Sequence, residues 1–239
     1  MSKIVVLGAG IAGHTAAAHL RRKLGKEHEV LVVSPNRNYQ WVPSNIWVGI
    51  GRMKSKEVIF PLEPLYKRKG IGYKQAKAVS FHPEGDGSEQ KPYILVEGVF
   101  GDNLGKQEKV TYDYLINATG PKLAFDMTEG LVPETNKVYS VCTYDHAEHA
   151  SDALHKLIDQ LKKSDKKAKI LIGTGHAKAT CQGAAFEYIL NVEKELQKFG
   201  VRDKAEITWI SNEYELGDFG MDGMLMEYNG FNMKSKDMV

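Results

Sequence analysis

The chain enters an apolar run at its third residue and leaves it through glycines. "KIVVLGAGIAGHTAAAHLRRKLG" reads as a buried strand over Lys3–Leu7, a tight turn, and a helix that stops at Gly25. "EVLVVSPN" follows as a second strand, so the chain opens as a β-α-β unit. Gly8, Gly10 and Gly13 fall in the GxGxxG positions between strand and helix, with Ala9, Ile11 and Ala12 completing the turn. In this pattern the first glycine permits the turn, the second lets a pyrophosphate approach the backbone, and the third lets helix and strand pack closely. The helix N-terminus then faces the phosphate charge. A strand on one side and a small-residue helix (Ala16, Ala17, Ala18) on the other predict dinucleotide binding rather than an ordinary glycine loop. The acidic residue expected after the second strand is replaced by Ser34-Pro35-Asn36. A serine hydroxyl both donates and accepts, so Ser34 reads equally as a ribose contact or as part of a plain turn.

Charge excludes more than it indicates. Lys and Arg number 32 against 30 Asp and Glu, a formal net charge of +2, which leaves no electrostatic footprint for nucleic acid. With 42% hydrophobic residues the 239-residue chain can bury an ordinary core as one large domain or two small ones. The opening residues have no signal-peptide pattern, and no apolar run approaches the roughly 20 residues that span a bilayer. A cytoplasmic location is expected. The two cysteines, Cys142 and Cys181, are too few for a disulfide scaffold and lack zinc-ligand spacing, so no metal is expected.

Further along, "NYQWVPSNIWVGIG" reads as a lining for a flat ligand or as core. "VIFPLEPLYKRKGIGY" predicts a short helix, and "YKQAKAVSFHP" a strand. "PYILVEGVFG" and "EKVTYDYLINATG" predict a pair of strands, the second ending in small residues Ala118-Thr119-Gly120 where backbone can pass close to a ligand. A linker-like stretch from Pro121 to Tyr139 precedes an amphipathic helix with Ala150, Leu154, Leu157, Ile158 and Leu161 at helical spacing, opened by a capping box from Asp145 to Glu148. "AKILIGTG", "QGAAFEYILNVEKELQKFG" and "AEITWISN" form a second strand-turn-helix-strand unit. The stretch "GTGHAKATCQGAAFEY" at its turn reads either as a second phosphate cradle or as a thiol site.

Taken together, "VVLGAGIAGHTAA", "DYLINATGPKL", "SVCTYDHA" and "TCQGAAFEY" resemble the sulfide:quinone oxidoreductases and the related flavoprotein subunit of flavocytochrome c sulfide dehydrogenase, in the two-dinucleotide-domain flavoprotein superfamily. The resemblance runs through "LGDFGMDGM". It implies an α/β fold with a Rossmann-like FAD-binding domain over 1–125 and a partial, degenerate NAD-type Rossmann-like domain over 138–239. It further implies that Gly8, Gly10 and Gly13 cradle the FAD pyrophosphate, that Ser34 and Pro35 lie at the adenosine ribose, that Ala78 lies near the adenine, and that Ala118, Thr119 and Gly120 run along the cofactor. Cys181 matches the cysteine beside the flavin, Cys142 an outer cysteine, and His146 and Glu187 residues assisting proton transfer. Sulfide is then the donor, and a quinone or cytochrome the acceptor. Family members are about twice this length, and the partner cysteine, the quinone pocket and the membrane-binding helices belong to their C-terminal half. The chain is thus expected to be the N-terminal portion of a protein peripheral to a membrane, inactive by itself and prone to form homo-oligomers.

The residues bear on these roles. Lys178 stands where a nicotinamide turn would have its third glycine, and the next strand ends Ser211-Asn212 without an acidic residue, which favours the thiol site over a second cradle. A thiol at a helix start has its pKa lowered by unpaired N–H groups and the dipole. Cys142 and His146 share a face only if the helix already includes Cys142, and a spacing of six sets Glu187 well around its helix from Cys181. The competing readings are a type II NADH:quinone oxidoreductase, which has no use for a thiol there, and a non-catalytic nucleotide-binding module.

Overall fold

The computed structural model describes residues 1–133, 135, 137–176, 179, 182–213 and 225–234. In chain order the elements are β1 (Lys3–Leu7), α1 (Ile11–Leu24), β2 (Glu29–Ser34), β3 (Asn38–Gln40), α2 (Asn45–Gly49), α3 (Ser55–Val58), β4 (Ile59–Pro61), α4 (Leu62–Lys69), β5 (Gly72–His82), β6 (Tyr93–Gly98), β7 (Gln107–Thr111), β8 (Tyr114–Asn117), α5 (Tyr144–Lys162), β9 (Ala168–Gly173), α6 (Gln182–Lys198), β10 (Ala205–Ile210), β11 (Leu225–Tyr228) and β12 (Phe231–Lys234). They group into two compact units, Met1–Trp41 with Lys56–Leu123, and Val42–Ser55 with the chain from Ala124.

The first unit is built on a six-stranded sheet in the order β7-β6-β5-β2-β1-β8. β1 runs parallel to β2 (Lys3↔Glu29 to Leu7↔Val33) and to β8 (Ile4↔Tyr114 to Leu7↔Asn117). As a central parallel strand it is buried on both faces. Ile4 and Val6 pack with Ala17 of α1 and Leu62 and Tyr66 of α4, while Val5 and Leu7 pack with Ile94 and Val96 of β6 and Val110 of β7. β5 is parallel to β2 only from Gly72 to Gln75 and then continues as an antiparallel partner of β6.

The expected pair of strands proves to be three. β7 pairs with β6, the chain then breaks at Tyr112-Asp113, and β8 crosses to the far edge beside β1. Asp113 redirects it: its carboxylate accepts the Lys3 N–H at 2.7 Å while its own N–H donates to the Lys3 carbonyl at 2.9 Å.

In the second unit α5 and α6 pack against the parallel pair β9 and β10 around Leu154, Ile158, Leu161, Val192, Leu196 and Ala205. α5 buries Ala147, Ala150, Leu154, Ile158 and Leu161, close to the stripe read from sequence. It starts one residue before Asp145, with Thr143 as N-cap and no side-chain cap hydrogen bond, so Asp145 faces the helix dipole from within the first turn instead of heading a capping box. Val42–Ser55, read from sequence inside the 1–125 span, groups with this unit because Ile50 is wholly buried in its core. The Met-rich end contains an antiparallel hairpin, β11–β12, turned at Asn229-Gly230 with both residues at positive φ (51° and 78°). No helix of the described residues is long and apolar enough to cross a membrane.

Candidate functional site

The glycine turn is closed on two sides and open on the third. Gly8 has φ +95°, and a Cβ there would lie 2.1 Å from the Ala118 carbonyl oxygen. A Cβ on Gly13 would lie 2.0 Å from the Gly8 carbonyl oxygen and 3.3 Å from the Ala118 methyl. A Cβ on Gly10 meets nothing within 4 Å. Two of the three glycines therefore serve the fold, and Gly10 alone keeps space free. Gly10 is the N-cap of α1 and supplies no side-chain cap, and the first turn holds no acidic residue. The N–H groups that begin a helix lack intrahelical partners, so this opening favours an anion. Ile11, 60% exposed, and Ala12 flank it, while Ala9 turns inward.

The turn lies where the strand order reverses. From β1 the chain passes through α1 to β2 on one side and returns as β8 on the other, a switch point at the carboxyl ends of the strands. Those ends bring Gly8–Gly13, Ser34-Pro35 and Ala118–Gly120 to one edge. Ala118 extends the β1 ladder, its N–H donating to the Leu7 carbonyl at 2.8 Å, and its methyl lies 3.3 Å from where a Gly13 Cβ would stand. Asn117 holds the next turn by accepting from both the N–H and the hydroxyl of Thr119. Ser34 is 1% exposed and its hydroxyl accepts the Asn36 N–H at 3.3 Å, so it fastens the turn after β2. Ala78 sits three residues beyond Gln75, the β5 partner of Ser34, beside a bulge in β5.

One turn into α1, His14 packs among Tyr39, Phe60 and Tyr66, with its Nδ1 3.2 Å from the Tyr66 hydroxyl. Burial, helped by Lys69, lowers the His14 pKa. Tyr73, its ring tilted by 41° to that of Tyr66, is pushed up to about 12 by burial and by Glu63.

In the second unit, Cys181 and Lys178 lie outside the described residues. Cys142 is a free, exposed cysteine two residues before the first residue of α5, so the helical relation to His146 does not form. The Nδ1 of His146 is buried without a hydrogen-bond partner among the described residues, and its ring meets Phe125 edge-on. Glu187 is exposed on α6, where its carbonyl accepts the Asn191 amide. At the start of the second turn, a Cβ on Gly173 would lie 1.7 Å from the Ile210 carbonyl oxygen, which accounts for that glycine by strand packing.

Sequence reasoning missed Glu195. It is 1% exposed and paired with Arg52 at 2.5 Å and Lys198 at 3.4 Å. Beside this pair the Tyr188 hydroxyl donates to the Gly49 carbonyl at 2.9 Å. A glutamate among apolar helix positions is the signal for such a pair, but its partner stands 143 residues away.

The comparisons agree with this architecture. The sulfide-quinone reductase of Aquifex aeolicus is 29% identical over 221 residues, covering 92% of this chain and 45% of that protein. The mitochondrial sulfide:quinone oxidoreductase of Dictyostelium discoideum is 26% identical over 213 residues, covering 88% and 42%. The X-ray structure of the Aquifex aeolicus sulfide:quinone oxidoreductase superposes with a TM-score of 0.72 at 28% identity, over 92% of this chain and 45% of that one. The chain thus spans less than half the length of these relatives. The model of the pyridine nucleotide-disulphide oxidoreductases matches residues 2–186, which takes in the glycine turn at the switch point, β9 and the first residues of α6, and the chain belongs to that family.

Proposed function

We propose that this chain is the nucleotide-binding part of an FAD-dependent oxidoreductase that oxidises sulfide and passes the electrons to a quinone. The observation that carries this reading is the likeness to sulfide:quinone oxidoreductase in sequence and in structure over 92% of the chain. The residues present fit the cofactor: the space over Gly10 admits a pyrophosphate, and the start of α1 offers uncapped N–H groups with no acidic side chain to repel it. In this reading the first unit is the FAD-binding domain and the second the degenerate one. Gly8–Gly13 hold the pyrophosphate, Ser34-Pro35 and Ala78 border the adenosine, and Ala118–Gly120 border the rest of the dinucleotide.

A bound flavin supplies a two-electron acceptor that a thiolate can reduce and a quinone can reoxidise. Cys181, which precedes Gln182 in sequence, is assigned the thiolate role. Hydrosulfide and the Cys181 thiolate would together give two electrons to the bound flavin as a Cys181 Sγ–S bond forms and the S–H proton is released, and transfer of that outer sulfur to a further hydrosulfide, as polysulfide, would restore the thiolate. His146, with a ring nitrogen that has no hydrogen-bond partner among the described residues, is assigned to take up a proton released from sulfide. Cys142 and Glu187 have auxiliary roles, a solvent-facing thiol and a solvent-facing carboxylate. The acceptor gives the protein its place at a membrane surface.

The test is anaerobic reduction of the flavin-loaded protein, followed by its absorbance. Sulfide is expected to bleach the flavin and NADH to leave it oxidised. Bleaching by NADH and not by sulfide would replace this function with that of an NADH:quinone oxidoreductase.

A further inference from the structure

The turn after β2 is pinned at every residue. The Asn36 N–H donates to Ser34 Oγ, the Pro35 carbonyl accepts from the Gln75 amide at 3.3 Å, the Asn36 carbonyl accepts from the Tyr73 hydroxyl, and the Arg37 carbonyl accepts the Leu62 N–H at 3.1 Å. Arg37 is thereby presented from a fixed base, exposed, with no ion pair among the described residues. Its guanidinium carbon stands 5.9 Å from the centroid of the Phe100 ring.

Phe100 reaches this place by a defined route. Ser34 is level with Gln75 on β5, the next residue Ala76 is level with Gly98 on β6, and Phe100 follows two residues later. The loop that carries it is closed by Gly98, whose N–H donates to the Lys106 carbonyl and whose carbonyl accepts the Gly105 N–H, both at 2.9 Å. A Cβ on Gly98 would lie 2.0 Å from the Asn103 carbonyl oxygen, so the loop is tight. Phe100 is nonetheless 62% exposed. A tight loop thus places a large ring in solvent, beside a guanidinium with no ion pair among the described residues.

In a Rossmann turn the pyrophosphate sits at the first helix and the adenosine extends toward the end of the second strand. That direction leads from Gly10 to Ser34 and on to Arg37 and Phe100. We propose that Arg37 and Phe100 form the adenine-holding end of the dinucleotide site, the purine stacking on the exposed ring and guanidinium, and that this pair selects a ligand with an adenine over a flavin mononucleotide. A purine offers a π-face to an aromatic ring and to a planar guanidinium alike. The absence of an acidic residue after β2 agrees with recognition by stacking rather than through the ribose hydroxyls. This inference rests on the FAD reading of the turn at Gly8–Gly13.

The test is calorimetric titration of the 239-residue chain with FAD, ADP and FMN, for the wild type and for Phe100→Ala, Arg37→Ala and Gly10→Val. Phe100→Ala is expected to weaken FAD and ADP about ten-fold, the worth of one base-aromatic stack, and to leave FMN unchanged. Arg37→Ala should act in the same direction, less strongly. Circular dichroism should show both exposed-site variants folded as the wild type. Unchanged FAD affinity in Phe100→Ala while Gly10→Val abolishes binding overturns the pair alone. FAD binding that is indifferent to Gly10→Val overturns the turn reading, and the pair with it. Equal weakening of FMN and FAD by Phe100→Ala overturns the adenine assignment.

Discussion

Gly13 lies so close beneath Gly8 that a Cβ on it would stand 2.0 Å from the Gly8 carbonyl oxygen, whereas Gly10, between them in sequence, has nothing within 4 Å of its own Cβ position. The same motif thus divides into positions that the polypeptide needs and one that a ligand needs.

That division predicts opposite phenotypes. Gly13→Ala should cost about 3 kcal/mol or more, since backbone rather than a flexible side chain is in the way. Gly10→Val should cost below about 1 kcal/mol, the scale of a poorer N-cap, yet abolish FAD binding. Chemical denaturation alongside flavin content separates the two effects. A Gly10→Val protein that retains full flavin would remove the assignment of this turn.

A second prediction concerns the buried Glu195. Among the described residues, Arg52→Met leaves its carboxylate with Lys198 alone, at 3.4 Å and largely exposed. Because the Arg52 side chain is itself 40% exposed, the expected loss is about 2 kcal/mol, below the range for a fully buried pair. Arg52→Met with Glu195→Leu should recover most of it, since no unpaired charge then remains inside. Hydrogen exchange in α6 and β10 would register both changes. A double variant as unstable as the single one would mean that packing, not charge, makes the contact.

His14 gives stability a pH dependence of known sign. Burial lowers its pKa below the ordinary 6.5, so as pH falls through that value the unfolded chain takes up a proton that the folded state resists. The contribution is present above the ordinary pKa and is lost on acidification. His14→Gln should therefore narrow the difference in melting temperature between about pH 7.5 and about pH 5.5. An unaltered difference would show that His14 is not among the histidines responsible.

What could be read from sequence was local. β1, α1 and β2 follow one another with their glycines and apolar runs in register, and α5 announces itself by period. The crossing of β8 could not be read, because Tyr112-Asp113 looks like an ordinary part of one strand until Asp113 is seen paired to Lys3, 110 residues away. The hairpin at Asn229-Gly230 had a readable signal in its dipeptide, obscured by the methionines around it. Arg52 with Glu195 and Arg37 with Phe100 depend on contacts made only after the chain has folded. Gly8 and Gly13 were legible as a motif, but only the structure separates their fold role from the ligand role of Gly10.

The two cysteines should differ in consequence. Cys142 is exposed, its N–H donates to Ser140 Oγ at 3.1 Å, and it precedes α5 by two residues, so no helical turn couples it to His146. Replacing it with serine removes an accessible thiol and should slow sulfide-dependent reduction no more than several-fold. Cys181→Ser should keep FAD and lose that reduction, because a serine hydroxyl neither forms a persulfide nor ionises at neutral pH. Maleimide should label Cys142 in the folded protein, and brief anaerobic sulfide treatment of the FAD-loaded protein, whose oxidised flavin would take up the two electrons, followed by mass spectrometry of the two cysteine peptides should find the added sulfur on the Cys181 peptide. Added sulfur on Cys142 alone, with Cys181→Ser still reducible by sulfide, would transfer the thiol chemistry to the outer cysteine and leave Cys181 as a packing residue.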